Sequence, residues 1–365
     1  MVANPLLFIA EAGVNHNGSE DLAREMIDAA AAAGADIVKF QTAIPEEVVS
    51  VHAEKAAYQK ITTGACESQL EMVRKLHFNT GRNSIYQRLI THADSRGIRL
   101  LSSPFDIPSL HFLVGDLGLT VIKIASGEVT NAPLLLAAAR SDCNIILSTG
   151  MATLADIKAA LGVLAFGYLE KTDRPSVSAF DTAFASDEGQ ACLRAKVTLL
   201  HCVTSYPAPT DETNLRAMDT LRDHFALPTG FSDHSLGLTI PIAAAARGAC
   251  LIEKHFTLDR SLPGPDHAAS LEPQELAALV RAVRDVETAL GSGIKEPQAC
   301  EIDTARVARR SLVARKPIRA GEQFNEINLT AKRPAGGISP MRYWEIVGKS
   351  APRDFLQDEI IDEVP

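Results

Sequence analysis

No stretch of this 365-residue chain approaches the ~20 consecutive apolar residues that a membrane-spanning helix requires. Its first residues, MVANPLLFIAEAG, have neither a basic n-region nor a cleavage-site pattern and read as mature protein. Its six cysteines form no CxxC pair, and several lie in apolar runs, as reduced core thiols do. An excess of positive charge is also missing. With 36 Lys and Arg against 45 Asp and Glu, the formal net charge of −9 argues against a nucleic-acid binder. The 23 Gly and 19 Pro show no period, which removes collagen-like and linker-like chains. What remains, 46% hydrophobic and 22% charged residues, can bury a sizeable core. A cytoplasmic protein of two domains, with no nucleic-acid or membrane partner, is the expectation.

Short apolar runs recur along the chain: LLFIAEAG (6–13), ADIVKFQ (35–41), GIRLLSSP (97–104), LTVIKIAS (119–126), CNIILSTG (143–150), KVTLLHCV (196–203), PTGFSD (228–233) and ACLIEKHFT (249–257). They are continuous in polarity, as strands of a parallel sheet buried on both faces are. Helix-like segments separate them, ending with Pro273–Leu290, where Pro sits at a helix start that tolerates it. Strand then helix, about eight times, predicts a TIM (β/α)8 barrel, with a doubly wound sheet as the competing fold. The strand ends decide between them. Nearly all carry polar clusters, and only a closed barrel brings eight strand ends to one site.

Two inserts interrupt the pattern. Residues 43–83 include a predicted helix over Ser68–Lys75 and read as a lid or protrusion; 165–195 is a mixed polar stretch that reads as a peripheral elaboration. The expected boundaries are a barrel domain over 1–291, a polar linker over 292–305 and a small domain over 306–365. A unit of about 60 residues has a marginal core alone and is expected to dock on a barrel. The basic run between Arg306 and Arg319 reads as a solvated face.

Several residues bear chemistry. Glu11 lies inside a buried strand, where a carboxylate is costly unless paired or functional; it is either salt-bridged to a barrel lysine or catalytic. Lys39 and Lys123 also sit in apolar strands, near Ser102, Ser103, Ser126, Ser148 and Ser232. That set suits a phosphorylated carboxylate, with lysines as charges and hydroxyls as directional donors. A single buried lysine could equally be a Schiff-base nucleophile. His234 and His255 end the seventh and eighth strands and could share one ion, leaving the open positions that a catalytic metal needs.

The runs AEAGVNHNG, VKFQT, SSPFD, IKIASGE, STGM, HCVTSYPAP, GFSDHS, EKHFTLDRSLPGPDH and KRPAGGISP, in this order, resemble the sialic acid synthases. Those enzymes condense phosphoenolpyruvate with N-acetylmannosamine or a relative to a nine-carbon 2-keto acid. The resemblance implies a TIM barrel followed by an antifreeze-like domain, in a domain-swapped homodimer. It also implies roles. His234 and His255 would bind a divalent ion, typically Mn2+, with Mg2+ or Co2+ as other choices. Lys39, Ser103, Lys123, Ser126, Ser148, Thr204 and Ser232 would hold phosphoenolpyruvate. Gln41, Glu128, Tyr206 and Asp266 would face the sugar, and Arg333 would reach it from the partner's small domain. Glu11 would be the acid/base group for water addition. One position departs from the pattern: some members carry Asn where this chain has Thr204.

The expected product is N-acetylneuraminate, with N,N'-diacetyllegionaminate as the alternative. Competing activities are a Schiff-base aldolase using Lys123, a synthase of 3-deoxy sugar acids, and a non-catalytic carbohydrate- or ice-binding protein. The last needs no metal pair or phosphate cradle, and the tail is too charged for an ice-binding face.

Overall fold

The computed structural model describes residues 5–362 and 364, apart from 57–58, 61–62, 64–66, 79–84 and 170–173. It divides into two compact units, Met1–Gly291 and Ser292–Pro365. The first is an eight-stranded TIM-like barrel. Its strands are β1 (Leu7–Gly13), β2 (Ile37–Thr42), β3 (Arg99–Pro104), β4 (Val121–Ile124), β5 (Asn144–Ser148), β6 (Val197–Cys202), β7 (Thr229–Asp233) and β8 (Leu251–His255). All pair in parallel, in the order β3-β2-β1-β8-β7-β6-β5-β4. Because β1 pairs with both β2 and β8, the sheet curls until β3 and β4, at its two ends, pack side by side. The expected TIM-type barrel is present.

Alternation along the strands explains both faces. Outward residues such as Phe8, Val38, Phe40, Ile145 and Phe231 join the helices in one large apolar core. Inward, Ile9, Ile37, Leu101, Ile146, Leu200 and Leu251 form an apolar plug. Burial of each such side chain stabilises by about 1.5–3 kcal/mol. Two positions further along the same strands, the inward residues are Glu11, Lys39, Ser103, Ser148, Cys202 and Glu253. The plug is therefore the dry floor beneath a polar layer at the C-terminal mouth.

The helices begin where their caps dictate. Ser19 accepts from the Leu22 amide to start Glu20–Ala32, which buries Ala23, Met26, Ile27 and Ala30. Glu272 and Glu275 form a capping box around Pro273, and Gly291, at φ +58°, stands at the end of that helix. In the insert after β2, Ser68 caps the helix Gln69–Leu76, whose Met72 and Leu76 pack on Val14. A short helix, Pro45–Val48, precedes it. Other parts of that insert, Cys66 among them, lie outside the described residues.

Residues 165–195, expected as a peripheral elaboration, carry helices of their own. Apart from 170–173, outside the described residues, they are helical: Leu154–Tyr168 runs one turn past Leu164, and Val177–Ala185 and Asp187–Lys196 follow. Ser176 and Ser186 cap the two added helices, so part of the stretch's polarity marks helix starts. Two glycines allow the close packing. A Cβ on Gly167 would meet the Ala139 Cβ at 2.5 Å, and one on Gly162 would meet the Phe180 carbonyl oxygen at 3.0 Å. The stretch therefore adds a packed helical layer outside the barrel.

The second unit holds β9 (Ser311–Ala314) and β10 (Leu329–Lys332), paired antiparallel around a core of Leu312, Ile318, Phe324, Ile346, Phe355 and Ile361. The expected linker is not wholly extended, since a turn of 3-10 helix at Ala299–Glu301 leads into a helix at Ile302–Ala308. Among the described residues no helix is long and apolar enough to cross a membrane.

Candidate active site

A cavity of about 240 Å³ opens at the C-terminal mouth of the barrel, above the apolar plug. Its floor is ionic. Lys39 Nζ forms an ion pair with Glu11 Oε2, stands 3.6 Å from Glu253 Oε2 and donates to Ser103 Oγ at 3.2 Å. Lys123 Nζ donates to Glu253 Oε1 at 3.0 Å, and Ser232 Oγ donates to the same oxygen at 3.0 Å. All six ionic and hydroxyl groups are almost fully buried. Such charges persist in a barrel interior only because each has an opposite charge or a hydrogen-bond partner.

The two carboxylates are pushed in opposite directions. Burial lifts Glu11 to about 7, with Lys39 opposing the rise and Glu253 adding to it. Glu253 is also penalised by burial, but Lys123 and Lys39 together hold it down at about 2. Burial alone would lower the Lys39 ammonium; Glu11 and Glu253 keep it above its ordinary value. One permanent anion beside one carboxyl that titrates near neutrality is the arrangement from which acid/base roles are made.

Beside this floor the His234 and His255 ring centroids lie 5.5 Å apart. His234 Nδ1 donates to the Val203 carbonyl at 2.8 Å, so Nε2 is the nitrogen that bond leaves over; burial lowers this ring's proton affinity, but Cys202 and the Val203 carbonyl raise it above the ordinary histidine value, so a metal there has to displace a proton. His255 Nδ1 is buried without a hydrogen-bond partner, close to the Glu11 carboxylate about Gly13. Burial, then the neighbouring His234, hold the His255 ring well below the usual histidine range, so it is a neutral base. Neutral imidazoles with a free nitrogen are the ligands a divalent ion takes. Among the described residues no group of three or more His, Cys, Asp or Glu is set to hold a metal. The chain fits a metal held by two imidazoles, with its other positions open to solvent or substrate.

The sequence-selected residues gather here. Glu11, Lys39, Gln41, Ser103, Lys123, Ser126, Ser148, Thr204, Tyr206, Ser232, His234 and His255 all line the cavity. Gly150 is needed for the approach of three loops. A Cβ there would meet Thr204 Oγ1 at 2.1 Å and Ser126 Oγ at 2.8 Å, while its amide donates to Ser126 Oγ at 3.0 Å. Ser102, paired with Ser103 in the sequence reading, faces away and shares a hydrogen bond with Thr42 at 2.7 Å.

Three expected sugar contacts are not among the lining residues. Glu128 ends the turn that carries Ser126, is half-buried and accepts from Asn131 at 2.7 Å. Asp266 is buried and pushed up to about 6 by that burial, with His234 pulling it back. Arg333 is an exposed residue of the second unit.

Six lining residues were not among the sequence candidates; Ala125 and Gly127 bring only backbone and a methyl, and the other four bring side chains. Phe105 and Met151 are apolar, and Cys202 is a thiol that His234 holds at about 7 against its burial. Glu253 is the fourth, and its signal was available: it lies two residues before His255 on one strand and so shares its face.

The NeuB family profile matches residues 26–295 and the SAF domain profile matches residues 309–363. The chain is 48% identical to the N,N'-diacetyllegionaminic acid synthase of Campylobacter jejuni, over 98% of this chain and 99% of that protein. It is 42% identical to the protein of the same name from Legionella pneumophila, over 93% and 88%. A solved structure, the N-acetylneuraminic acid (sialic acid) synthetase of Leptospira borgpetersenii in complex with citrate, superposes with a TM-score of 0.66 at 36% identity, covering 82% of this chain and 90% of that one.

Proposed function

From the fact that the chain belongs to the NeuB family, we propose that it condenses phosphoenolpyruvate, an N-acetylated aminosugar and water to a nonulosonic acid and phosphate. The sugar we assign is 2,4-diacetamido-2,4,6-trideoxymannose, giving N,N'-diacetyllegionaminate. Two relatives of that name, at 48% and 42% identity, support this choice over the N-acetylneuraminate that the motifs favoured. The Leptospira structure supports N-acetylmannosamine as the second reading.

The observation that carries the proposal is the ionic floor. Lys39 and Lys123 present two buried positive charges beside Ser103 and Ser232, with Ser126, Ser148 and Thr204 in the same pocket. Phosphoenolpyruvate has a phosphate and a carboxylate to match them. A charged hydrogen bond of this kind contributes about 1.5–3 kcal/mol. Tyr206 and Gln41 take the sugar side of the pocket, with Glu128 and Asp266 completing it in the liganded state. C3 of phosphoenolpyruvate attacks the sugar aldehyde, water adds at C2, and the tetrahedral carbon expels phosphate. Glu11, poised near neutrality, takes the proton of the adding water. The lysines act as charges, since no covalent intermediate is required. His234 and His255 would hold a divalent ion, Mn2+ in our assignment, which when bound supplies Lewis-acid polarisation of the aldehyde oxygen.

We further infer a homodimer in which Arg333 of one protomer completes the pocket of the other, and a cytoplasmic setting, in keeping with the free thiols among the described cysteines. The test is phosphate release from phosphoenolpyruvate across a panel of unphosphorylated N-acetylated hexosamines. Release that depends on 2,4-diacetamido-2,4,6-trideoxymannose and stops in excess chelator is expected. Release with none of the panel would sink the assignment, and trapping of a lysine adduct by borohydride would favour an aldolase.

A further inference from the structure

Resting on the divalent-ion reading of His234 and His255, we propose that Lys254 is a positioning residue, a strut that with Asp233 fixes the spacing of the two imidazoles. Lys254 immediately precedes His255 on β8, and Asp233 immediately precedes His234 at the end of β7. The two strands pair in parallel with Asp233 opposite Lys254. Their side chains leave the sheet on the face away from the cavity, where Lys254 Nζ donates to Asp233 Oδ2 at 2.6 Å. The same ammonium donates to the Ser235 carbonyl, while Asp233 Oδ1 accepts from the Ser235 amide at 2.9 Å. His234 is thus the middle residue of a turn whose two flanks are tied to one ammonium, and that ammonium belongs to the chain neighbour of His255.

Stability gives no account of this pair. Lys254 and Asp233 are each 1% exposed, and the outward positions two residues before them, Ile252 and Phe231, belong to the apolar core. Taking two charges out of water costs about as much as their attraction returns, so an apolar pair would hold the barrel as well or better. What an apolar pair cannot do is tie a carboxylate and a backbone carbonyl at fixed distances. The β7–β8 ladder ends at Asp233 and Lys254, so strand pairing does not set where His234 points. On its other side the turn is held from the segment after β6, by the Ala208 amide on the His234 carbonyl at 2.9 Å and the Val203 carbonyl on the ring. Lys254 supplies the tie toward β8 and so toward His255. With no third His, Cys, Asp or Glu grouped with them among the described residues, two imidazoles have to be placed by their own mounts.

The experiment measures Mn2+ binding to the full chain without substrates, by the electron paramagnetic resonance of the free ion, beside the thermal melt of each metal-free protein. Lys254→Met leaves Asp233 buried without its ammonium and should lower both stability and Mn2+ affinity. The deciding variant joins Lys254→Met to Asp233→Val, an apolar pair in place of the ionic one. It should melt at or above wild type. Its Mn2+ affinity should nonetheless fall about tenfold or more, the scale of losing a support behind a metal ligand. Phosphoenolpyruvate binding, assigned above to Lys39 and Lys123, should stay as in wild type. Unchanged Mn2+ affinity in the double variant would overturn the inference and leave the metal reading standing. So would a double variant that melts far below wild type, or one that loses phosphoenolpyruvate in step with Mn2+, since the pair would then serve the fold at large. A wild-type chain that binds no Mn2+, or a His234→Ala chain that binds it as well as wild type, would overturn both.

Discussion

Replacing Glu253 with Ala tests whether the pocket floor is a charge-balanced unit. Its Oε1 accepts from Lys123 and Ser232, both at 3.0 Å, and its Oε2 lies 3.6 Å from Lys39. Without it, Lys39 keeps Glu11, and Lys123 keeps no carboxylate at ion-pair distance among the described residues. Removing one partner of a buried ion pair costs about 3–5 kcal/mol. At about 2 °C per kcal/mol for a chain of this size, the ligand-free variant should melt about 6–10 °C below wild type. Phosphoenolpyruvate should then stabilise the variant more than the wild type, because its anionic groups meet an unpaired ammonium instead of competing with Glu253. A ligand at 100 times its Kd adds about 2.7 kcal/mol, so a lower Kd in the variant shows as a larger upward shift at equal concentration. Glu253→Gln keeps the shape and an acceptor for Ser232 while removing the charge, and should lose stability in the same direction. Thermal melts along a phosphoenolpyruvate titration read all of this. An Ala variant that melts within about 2 °C of wild type, or gains no more from phosphoenolpyruvate, would refute the reasoning.

Lys39→Met and Lys123→Met should each raise the KM for phosphoenolpyruvate about ten- to a hundredfold, with a smaller change for the sugar; steady-state kinetics with unchanged phosphoenolpyruvate constants would count against the cradle. Because burial raises Glu11 to about 7, it is mostly protonated at pH 6 and mostly ionised at pH 8. A base must be ionised, so kcat/KM should climb through about pH 7 and level off above it, and Glu11→Gln should lose both the climb and most of the rate. For the dimer, purified mixed dimers of an Arg333→Ala chain and a Glu11→Ala chain should recover about half the wild-type activity, one whole site of two. If Arg333 served its own barrel, no site would be whole and mixing would restore nothing.

The barrel was legible because its signal is repeated: eight apolar runs, each ending in polar residues, leave little freedom of topology. The helices within 177–196 were not, since their Ser, Asp and Thr residues serve as caps and solvent faces and leave only a mixed polar pattern to read. Glu253 shows a different difficulty. In LIEKH the basic residues draw attention, yet Lys254 points outward to Asp233 at 2.6 Å, while Glu253 and His255 share the inner face. Counting in twos from His255 finds Glu253; scanning for residue types does not. Glu11 carries the comparison furthest. As a sequence position it was either a carboxylate paired with a barrel lysine or a catalytic group; the structure shows the pairing, and the catalytic role proposed above is compatible with it. Lys39 holds the carboxylate in place, while burial, outweighing that attraction, keeps its proton affinity near neutrality. On the proposed reading, an anion arriving at Lys39 would weaken the pair and leave beside it a base already in position.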